Sequence, residues 1–447
     1  MPGETQGGPQ SSVFPGFAIS MLKHSDPPWF RPRGYLHFDV AISKKRAIAI
    51  ATDPAQVAAH AFYPLLSYTI NTVKVQRNTS RRTITKVSKD RPIRYAAHVD
   101  AHIFSYYAHE IGLKYEQEIT AKGLGQCILA FRKLEASNIE FAGRAFDVVR
   151  RLGNCIVLAF DVTGFFENID HALLKRIWAR TLGGVTLPAD HYALFRALTK
   201  YSHVDRNKVY GALGISPHNP KNGRRRICSA EEFRGLVRDG NLIETNAKTF
   251  GIPQGTPISA LLSNIYLLDF DTAMRGEVEA RGGTYLRYCD DILIAVPAGS
   301  DAGLEAIVVD QLKRLRLEAN PKKTEKSRFA RAGRALACDR PLQYLGFLFD
   351  GQRILIRSAA LAKFSGRMNQ GVKLAKTTAK NRNAERLARG LPAKALYKRK
   401  LYERYSHLGH RNFVRYGIRA AKILDSEAIL RQLRPLWGRL KTAIEKP

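Results

Sequence analysis

Two adjacent aspartates, Asp290 and Asp291, interrupt an apolar stretch, and this arrangement constrains the fold of the chain more than any other feature. Tyr and Leu precede the pair in residues 284–289, and Ile, Leu, Ala and Val follow it in residues 292–296. Such residues on both sides of a short polar turn predict a β-hairpin. Two ionised carboxylates in one tight turn repel each other, and a hard cation such as Mg²⁺ relieves that repulsion. Because Asp also favours turns, the pair alone equally fits an acidic hairpin tip without a metal.

A third carboxylate has a matching setting. The nearly unbroken apolar run 155–160 predicts a strand buried on both faces, and Asp161 follows it directly. If this strand lies beside the hairpin, we expect Asp161, Asp290 and Asp291 to converge on one point. That layout suits two metal ions that activate an attacking oxygen and stabilise a leaving oxygen in phosphoryl transfer.

Composition indicates a polyanionic partner. The 447 residues include 72 Lys and Arg against 39 Asp and Glu, a formal charge of +33. That excess exceeds what solubility requires and is typical of nucleic-acid binding. The sequence has no apolar stretch long enough to span a membrane and no lipidation motif, so we expect no membrane partner. Residues 1–12 lack the pattern of a signal peptide and the five cysteines lack C-x-x-C spacing, so we expect a cytoplasmic protein without zinc or disulfides.

The positive charge is concentrated towards the C-terminus. Residues 357–447 contain 23 Lys and Arg and five Asp and Glu, a net charge of +18. Apolar residues at three- and four-residue steps in 361–374, continued in 393–402, predict helices. One basic helix would be a solvated surface, but several with interleaved tyrosines favour binding to a nucleic-acid backbone. The candidate contacts are Lys398, Arg399 and Lys400.

A polar segment between residues 201 and 250 predicts a loop followed by a short helix. The loop contains three consecutive arginines, Arg224, Arg225 and Arg226. These side chains suit a contact with RNA phosphates, and they equally suit a solvated loop.

Six segments, in order along the chain, resemble motifs of the reverse transcriptases, particularly the bacterial enzymes related to group II introns and retrons. They resemble the fingers motif, three palm motifs, a fourth motif and the primer grip, at residues 91–100, 161–171, 251–266, 288–291, 315–324 and 343–349. The resemblance implies an α+β right-hand polymerase with fingers, a palm with an antiparallel sheet, and a helical thumb.

The resemblance also implies a division of the chain into regions. It implies a flexible N-terminus at 1–20, fingers with an N-terminal extension at 21–155, a palm at 156–345 with an inserted fingers segment at about 185–250, and a primer grip with a basic helical thumb at 346–447. A zinc endonuclease and an RNase H domain of ordinary size are not expected in the sequence.

Roles for individual residues follow from the same resemblance. Asp161, Asp290 and Asp291 are the implied catalytic ligands of two Mg²⁺ ions, for which Mn²⁺ could substitute. Gln254 is implied to lie against the templating base pair and the incoming nucleotide. Phe166 is implied to be a steric gate whose ring rejects a 2′-hydroxyl, which makes dNTPs the expected substrates.

The triphosphate is implied to lie against Arg91, whose guanidinium can bind phosphate in a bidentate manner, with Lys89 or Lys86 as helpers. Lys323 is expected either to protonate or to neutralise the leaving pyrophosphate, and a solvated lysine is the alternative. Relatives often carry Asp-Arg where this chain has Asp100 followed by Ala, so one basic contact in the fingers is expected to be missing.

The expected function is RNA-templated DNA synthesis in the bacterial cytoplasm. Residues 26–38 and 264–271 resemble stand-alone, defence-associated reverse transcriptases of the unknown-group, abortive-infection-like and type 2 kinds. That resemblance implies a structured companion non-coding RNA as template, cDNA as product and a role in antiphage defence. The alternatives are a reverse transcriptase of a group II intron-like retroelement, an RNA-dependent RNA polymerase, and a catalytically silent RNA-binding scaffold. The sequence leaves open the template, the priming mode, the effect of the product and the oligomeric state.

Overall fold

Helices and strands are intermixed along the chain, which confirms the expected α+β class. The computed structural model describes residues 26–78 and 83–446, with side chains except those of 74–78 and 83–87. The helices in these ranges are α1 (Lys44–Ala51), α2 (Pro54–Ala58), α3 (His98–Ala121), α4 (Asn138–Leu152), α5 (Phe165–Asn168), α6 (His171–Thr181), α7 (Ala189–Thr199), α8 (Arg206–Ala212), α9 (Ala230–Glu232), α10 (Ser259–Tyr266), α11 (Leu268–Ala280), α12 (Leu304–Arg314), α13 (Ser358–Ala388), α14 (Arg399–Tyr405), α15 (Phe413–Ile423) and α16 (Glu427–Glu445). A 3₁₀-helix spans Leu124–Gln126, and a π-helical turn spans Phe233–Arg238.

The strands in the same ranges form three sheets. They are β1 (Leu65–Asn78), β2 (Thr83–Tyr95), β3 (Cys155–Asp161), β4 (Ser202–Asp205), β5 (Glu244–Thr245), β6 (Thr284–Tyr288), β7 (Asp291–Pro297), β8 (Glu325–Ala332), β9 (Ala335–Cys338), β10 (Leu342–Tyr344), β11 (Phe347–Phe349) and β12 (Ile354–Ile356). The sheet orders are β6-β7-β3-β8-β9, β2-β1-β4-β5 and β10-β11-β12.

The central sheet contains both the predicted strand and the predicted hairpin. Its neighbouring strands are all antiparallel, and β3 pairs with β7 from Cys155↔Pro297 to Asp161↔Asp291. The prediction of a strand beside the hairpin is therefore confirmed.

Successive residues of β3 face two different hydrophobic cores, because side chains alternate across a strand. Leu158 and Phe160 pack into a core that contains buried residues of α3, α6, α10, α11 and α12. Cys155 and Val157 pack on the other face, into a core built from α4, β10 to β12 and the C-terminal helices. The apolar run of β3 is thus buried on both faces, as its composition predicts.

The segment between residues 201 and 250 is more ordered than a loop and a short helix. It contributes β4 and β5 to the sheet of β1 and β2, and α8 and the π-helical turn to a small separate core. The predicted loop is present around the three arginines, and the predicted short helix follows at Ala230–Glu232.

The prediction of basic helices towards the C-terminus is confirmed for α13. The prediction of a helix at 393–402 is wrong for residues 393–398, because α14 begins only at Arg399. The side chain of Asn383 on α13 donates to the carbonyl oxygen of Lys394 and accepts from its N–H, both at 2.9 Å. Arg386 donates to the carbonyl oxygen of Pro392 at 2.8 Å. Because α13 satisfies these backbone groups, the segment before Arg399 does not need helical hydrogen bonds.

In the part of the chain that is described, no helix is long and apolar enough to cross a membrane. The expected boundaries between fingers, palm and thumb stay predictions, and the N-terminus at 1–20 lies outside the described residues.

Candidate active site

The three candidate carboxylates lie at one end of the central sheet. Asp161 ends β3, Asp291 begins β7, and their Cα atoms are partners in the antiparallel pairing. Asp290 precedes β7 in the hairpin turn, and its carbonyl oxygen accepts a hydrogen bond from the N–H of Val162 at 3.3 Å. The sheet register alone therefore brings together residues that are about 130 positions apart in sequence.

The turn that carries Asp290 has an unusual backbone conformation. Cys289 has a φ of 59°, in the left-handed region that non-glycine residues rarely adopt. Holding a residue there costs roughly 1–3 kcal/mol and requires support from surrounding structure. The strain therefore lies directly beside a candidate catalytic carboxylate.

A buried polar network supplies that support. The guanidinium of Arg287, which is fully buried, donates to both carboxylate oxygens of Asp271 at 2.6 Å. It also donates to the side-chain oxygen of Asn264 at 3.0 Å and to the carbonyl oxygen of Cys289 at 3.1 Å. Tyr285 donates its hydroxyl to Asp271 at 2.6 Å. This network fixes the backbone that precedes Asp290, because a buried ion pair with satisfied hydrogen bonds has little freedom to rearrange.

Sequence reasoning missed the role of this network. The sequence shows residues 264–271 only as a resemblance to other enzymes, and Arg287 only as part of a predicted strand. The available signal was the arginine itself, since a charge in the middle of an apolar strand needs a buried partner.

The electrostatics at the carboxylates favour a cation. Partial removal from water, together with the negative charges of Asp290 and Asp161, raises the pKa of Asp291 from 3.8 to about 7, against the opposing effect of Lys323 and Arg357. The ammonium of Lys323 lies 2.5 Å from the carboxylate of Asp161. Lys323 therefore contacts a candidate catalytic residue rather than being only a solvated lysine.

The carboxylates do not form a ready metal site in this conformation. Among residues 26–78 and 83–446, no three His, Cys, Asp or Glu side chains are grouped so that they could hold one metal ion. The sheet register still places Asp161 opposite Asp291. The expected role of Asp161, Asp290 and Asp291 as shared metal ligands stays a prediction.

A cavity of about 820 Å³ adjoins the carboxylates. Asp161 and Asp290 line it, and Asp291 does not. The remaining sequence-predicted residues that line it are Lys89, Arg91, Phe166, Gln254 and Lys323. Residues from five separate segments therefore meet around one space large enough for a nucleotide. Their individual roles stay predictions.

The loop that carries Gln254 depends on a close backbone approach. The carbonyl oxygen of Gln254 accepts a hydrogen bond from the N–H of Arg94 at 2.8 Å. Gly255 follows with a φ of 121°, and a Cβ there would lie 2.7 Å from the carbonyl oxygen of Arg94. The expectation that glycine permits a close approach in this loop is confirmed at Gly255.

The two aromatic residues after β3 differ in their surroundings. Both line the cavity, but Phe165 is buried in the core, whereas Phe166 is partly exposed. The ring of Phe166 is thus available to a bound sugar. For the triphosphate, Arg91 and Lys89 line the cavity from β2, and the side chain of Lys86 lies outside the described residues.

The predicted nucleic-acid contacts lie away from this cavity. Arg224, Arg225 and Arg226 are exposed in their loop. Lys398 and Lys400 are exposed at the start of α14, and Arg399 forms an ion pair with Glu403 at 2.9 Å. Asp100 precedes the position at which relatives often carry Arg. Its side chain is buried and accepts hydrogen bonds from His60 and from the N–H of Tyr63.

Comparison with solved structures finds telomerases at low identity. Apo telomerase from Candida tropicalis, truncated from the C-terminal domain, aligns at 9% identity with a TM-score of 0.38, covering 71% of this chain and 61% of that one. Telomerase from Candida albicans, in complex with a fragment of telomeric RNA, aligns at 10% identity with a TM-score of 0.37, covering 90% and 65%. The chain therefore spans less than two thirds of each of these telomerase chains.

Comparison with curated protein sequences finds no match. Residues 114–349 match the family model described as reverse transcriptase (RNA-dependent DNA polymerase), which covers more than half of the chain and all three candidate carboxylates. The expected right-hand polymerase class is thereby confirmed. The chain belongs to the reverse transcriptase family.

Proposed function

We propose that this chain is an RNA-templated DNA polymerase that makes cDNA from dNTPs. The observation that carries the proposal is the shared cavity, because Asp161, Asp290, Phe166, Gln254 and Arg91 all line one space. Each of these side chains has a distinct task in nucleotidyl transfer. The central sheet, α5, β2 and the Gln254 loop place them around the same cavity.

Two Mg²⁺ ions fit the donor set, and Mn²⁺ could substitute for them. Carboxylate oxygens are the ligands that hard divalent cations prefer. The raised pKa of Asp291 and the contact between Lys323 and Asp161 both indicate a cluster of negative charge that attracts cations. Asp161 and Asp290 would hold both ions, with Asp291 assisting, once Lys323 moves aside. When bound, the metals would activate the attacking oxygen and stabilise the charge on the leaving phosphates.

The reaction forms one bond and breaks one bond. The 3′-oxygen of the primer loses its proton and attacks the α-phosphorus of the dNTP, and the bond from that phosphorus to the pyrophosphate breaks. Arg91 and Lys89 hold the triphosphate through charge-assisted hydrogen bonds. Lys323 neutralises or protonates the departing pyrophosphate after leaving Asp161. Phe166 lies under the sugar and excludes a 2′-hydroxyl, and Gln254 contacts the nascent base pair.

We further propose a bacterial cytoplasmic role in antiphage defence, with a structured companion non-coding RNA as the template. Support comes from the resemblance of residues 26–38 and 264–271 to defence-associated enzymes, and from the charge of +33, which suits a large RNA partner. Within the second segment, Asn264 and Asp271 form part of the network behind the hairpin turn.

Primer extension on an RNA template tests the polymerase proposal. We expect the wild type with Mg²⁺ to extend a DNA primer with dNTPs and Asp290→Ala to make no product, while both proteins melt at similar temperatures. Full activity of Asp290→Ala would contradict the assignment. Incorporation of NTPs in preference to dNTPs would instead identify an RNA polymerase, and RNA binding without synthesis would identify a scaffold.

Sequencing the RNA and DNA that copurify with the wild type and with Asp290→Ala tests the choice of template. We expect one abundant RNA in both samples and matching cDNA only with the wild type. A random set of cellular RNAs would contradict a dedicated template, and intron RNA would identify a retroelement.

A further inference from the structure

The C-terminal region, predicted to be the thumb, contains a basic cavity that the polymerase chemistry does not use. We call it the first thumb cavity. It lies between the second half of α13 and residues 394–405 and encloses about 1090 Å³. Five cationic side chains line it against two acidic ones. The cationic residues are Arg382, Arg386, Lys394, Lys400 and Arg404, and the acidic residues are Glu385 and Glu403. Since Glu403 already pairs with Arg399, the lining carries an excess of positive charge.

The same cavity has apolar walls and an aromatic rim. Leu374, Leu396 and Leu401 contribute aliphatic surface, and Tyr397 contributes its ring. Leu374 is 68% exposed and Tyr397 is 61% exposed. Large apolar side chains that remain exposed among cations indicate a surface that binds something with both charged and flat apolar parts.

A second cavity continues this surface on the other side of the returning chain. It encloses about 1250 Å³ and shares Ala379, Asn383, Lys394 and Leu396 with the first. Its lining has six cationic residues and, among the described residues, no acidic one. The six are Lys373, Lys376, Lys380, Lys394, Arg439 and Lys446. The hydrogen bonds between Asn383 and Lys394 hold the strip of chain that separates the two cavities.

This surface is distant from the carboxylates along α13. The helix begins at Ser358, directly after Arg357, whose charge acts on Asp291. The first cavity begins at Gly371 and reaches Arg386. With a rise of 1.5 Å per residue, the cavity lies roughly 20–40 Å from that end of the helix. A nucleotide bound at the carboxylates cannot reach it.

We propose that the first thumb cavity binds an unpaired segment of the RNA, with a base stacked on Tyr397 and phosphates held by Arg382, Arg386 and Arg404. The inference rests on the proposed function, because it deepens the account of how that enzyme holds its RNA. Bases in a duplex are stacked on one another and cannot enter an apolar recess, whereas bases in a loop or single strand can. A duplex would use the cations and leave Tyr397 and Leu374 without a partner.

The expected consequence is an anchor for the template. A loop of a structured RNA held here would stay with the protein while another part of the same molecule passes the carboxylates. Stacking tolerates every base, so the anchor would select unpaired RNA rather than one sequence.

Equilibrium binding of labelled oligonucleotides to the full chain tests this proposal. The probes are a single-stranded oligouridine of about 12 nucleotides, a blunt RNA duplex of the same length, and oligodeoxythymidine. We expect Tyr397→Ala to weaken oligouridine binding about tenfold, with little change for the duplex. Tyr397→Phe keeps the ring and should bind like the wild type.

Charge variants give a second readout. We expect the double variant Arg382→Gln/Arg404→Gln to lower the slope of log affinity against log salt by about 1.4, because two phosphate contacts to a single strand are lost. The matched control is Arg431→Gln on α16, an exposed arginine paired with Glu427, which should leave the slope unchanged. Because Tyr397 is exposed, its variants should melt like the wild type.

The outcomes separate this proposal from the proposed function. Asp290→Ala should lose synthesis and keep oligouridine binding, whereas Tyr397→Ala should extend a short primer on a short template normally. Equal losses for oligouridine and duplex would overturn the base-binding site. If oligodeoxythymidine binds as tightly as oligouridine and loses as much affinity in Tyr397→Ala, the cavity holds the DNA product instead. The proposal would also be overturned if neither Tyr397→Ala nor the double arginine variant weakened binding.

Discussion

Arg287 donates a hydrogen bond from its guanidinium to the carbonyl oxygen of Cys289 at 3.1 Å, directly behind the candidate catalytic turn. The peptide that accepts this bond joins Cys289 to Asp290, so the buried arginine controls the direction in which that carboxylate leaves the backbone. A left-handed Cys289 is tolerated because this contact and the pair with Asp271 hold it.

Arg287→Lys tests this positioning role. Lysine keeps the charge opposite Asp271 but cannot also reach Asn264 and Cys289, so we expect kcat to fall roughly tenfold to a hundredfold through misplacement of Asp290. We also expect a higher Mg²⁺ concentration for half-maximal activity, which loss of stability alone would not produce.

The control for Arg287→Lys is Arg180→Lys. Arg180 forms a similar pair with Asp269 at 2.8 Å, but both side chains are more than half exposed. We expect this variant to match the wild type in activity and Mg²⁺ requirement. An unchanged Mg²⁺ requirement in Arg287→Lys would argue that the network only stabilises the fold.

Phe166→Ala should open the cavity beneath the sugar. Without the ring, the 2′-hydroxyl of an NTP no longer meets a wall, so we expect the ratio of NTP to dNTP incorporation to rise about tenfold or more. Steady-state kcat/KM for matched dNTP and NTP pairs measures this ratio. Phe104→Leu is the control, because Phe104 is buried in the core, does not line the cavity, and should affect melting temperature without affecting the ratio.

Gly255→Ala should distort the Gln254 loop. The new Cβ would lie 2.7 Å from the carbonyl oxygen of Arg94 in a backbone conformation unfavourable for alanine, at a cost of roughly 1–3 kcal/mol. We expect a raised KM for dNTPs in primer extension. Gly276→Ala on α11 has nothing within 4 Å of its new Cβ and should stabilise the protein slightly, as alanine does in helices. Wild-type kinetics for Gly255→Ala would contradict the close approach.

Asp291 should make the stability of the metal-free protein depend on pH. Its pKa is raised from 3.8 to about 7, so the folded protein keeps this proton to a higher pH than the unfolded chain does. The free energy of unfolding therefore falls as pH rises from about 4 to about 7, and this loss of stability reaches its full size above that range. We expect Asp291→Asn to melt at a higher temperature than the wild type at pH 8 in EDTA, and at a similar temperature near pH 4.

Added Mg²⁺ should reduce this difference at pH 8, because the cation offsets the repulsion in the wild type. Asp301→Asn is a control of opposite sign. A hydrogen bond from Lys326 lowers the pKa of Asp301, which stabilises the fold above its ordinary pKa and is lost as pH falls. That variant should melt at a lower temperature than the wild type at pH 8. If the wild type melts at a higher temperature than Asp291→Asn in EDTA at pH 8, the proposed repulsion between Asp291 and the neighbouring carboxylates is ruled out.

Local patterns allowed much of the palm to be predicted. The strand before Asp161 and the hairpin around Asp290 depend on residue alternation and turn chemistry within a few positions, which the sequence displays directly. The six ordered segments then indicated which side chains share a cavity. The start of α14 could not be predicted in this way, because Asn383 fixes Lys394 from a different helix.

The contact between Lys323 and Asp161 joins residues that are 162 positions apart, and no local pattern indicates it. Arg287 and Asp271 are only 16 positions apart, but they come from a strand and a helix whose packing decides that they meet. In both cases tertiary packing placed a charge beside the site, and the sequence showed only that the charge existed.

The two-sided burial of β3 has a consequence for how the protein unfolds. Leu158 and Phe160 complete one core and Val157 completes the other, so neither half of the molecule can open without exposing a face of the same strand. The two halves should therefore unfold in a single cooperative transition. Asp161, at the end of that shared strand, would lose its place in the same transition.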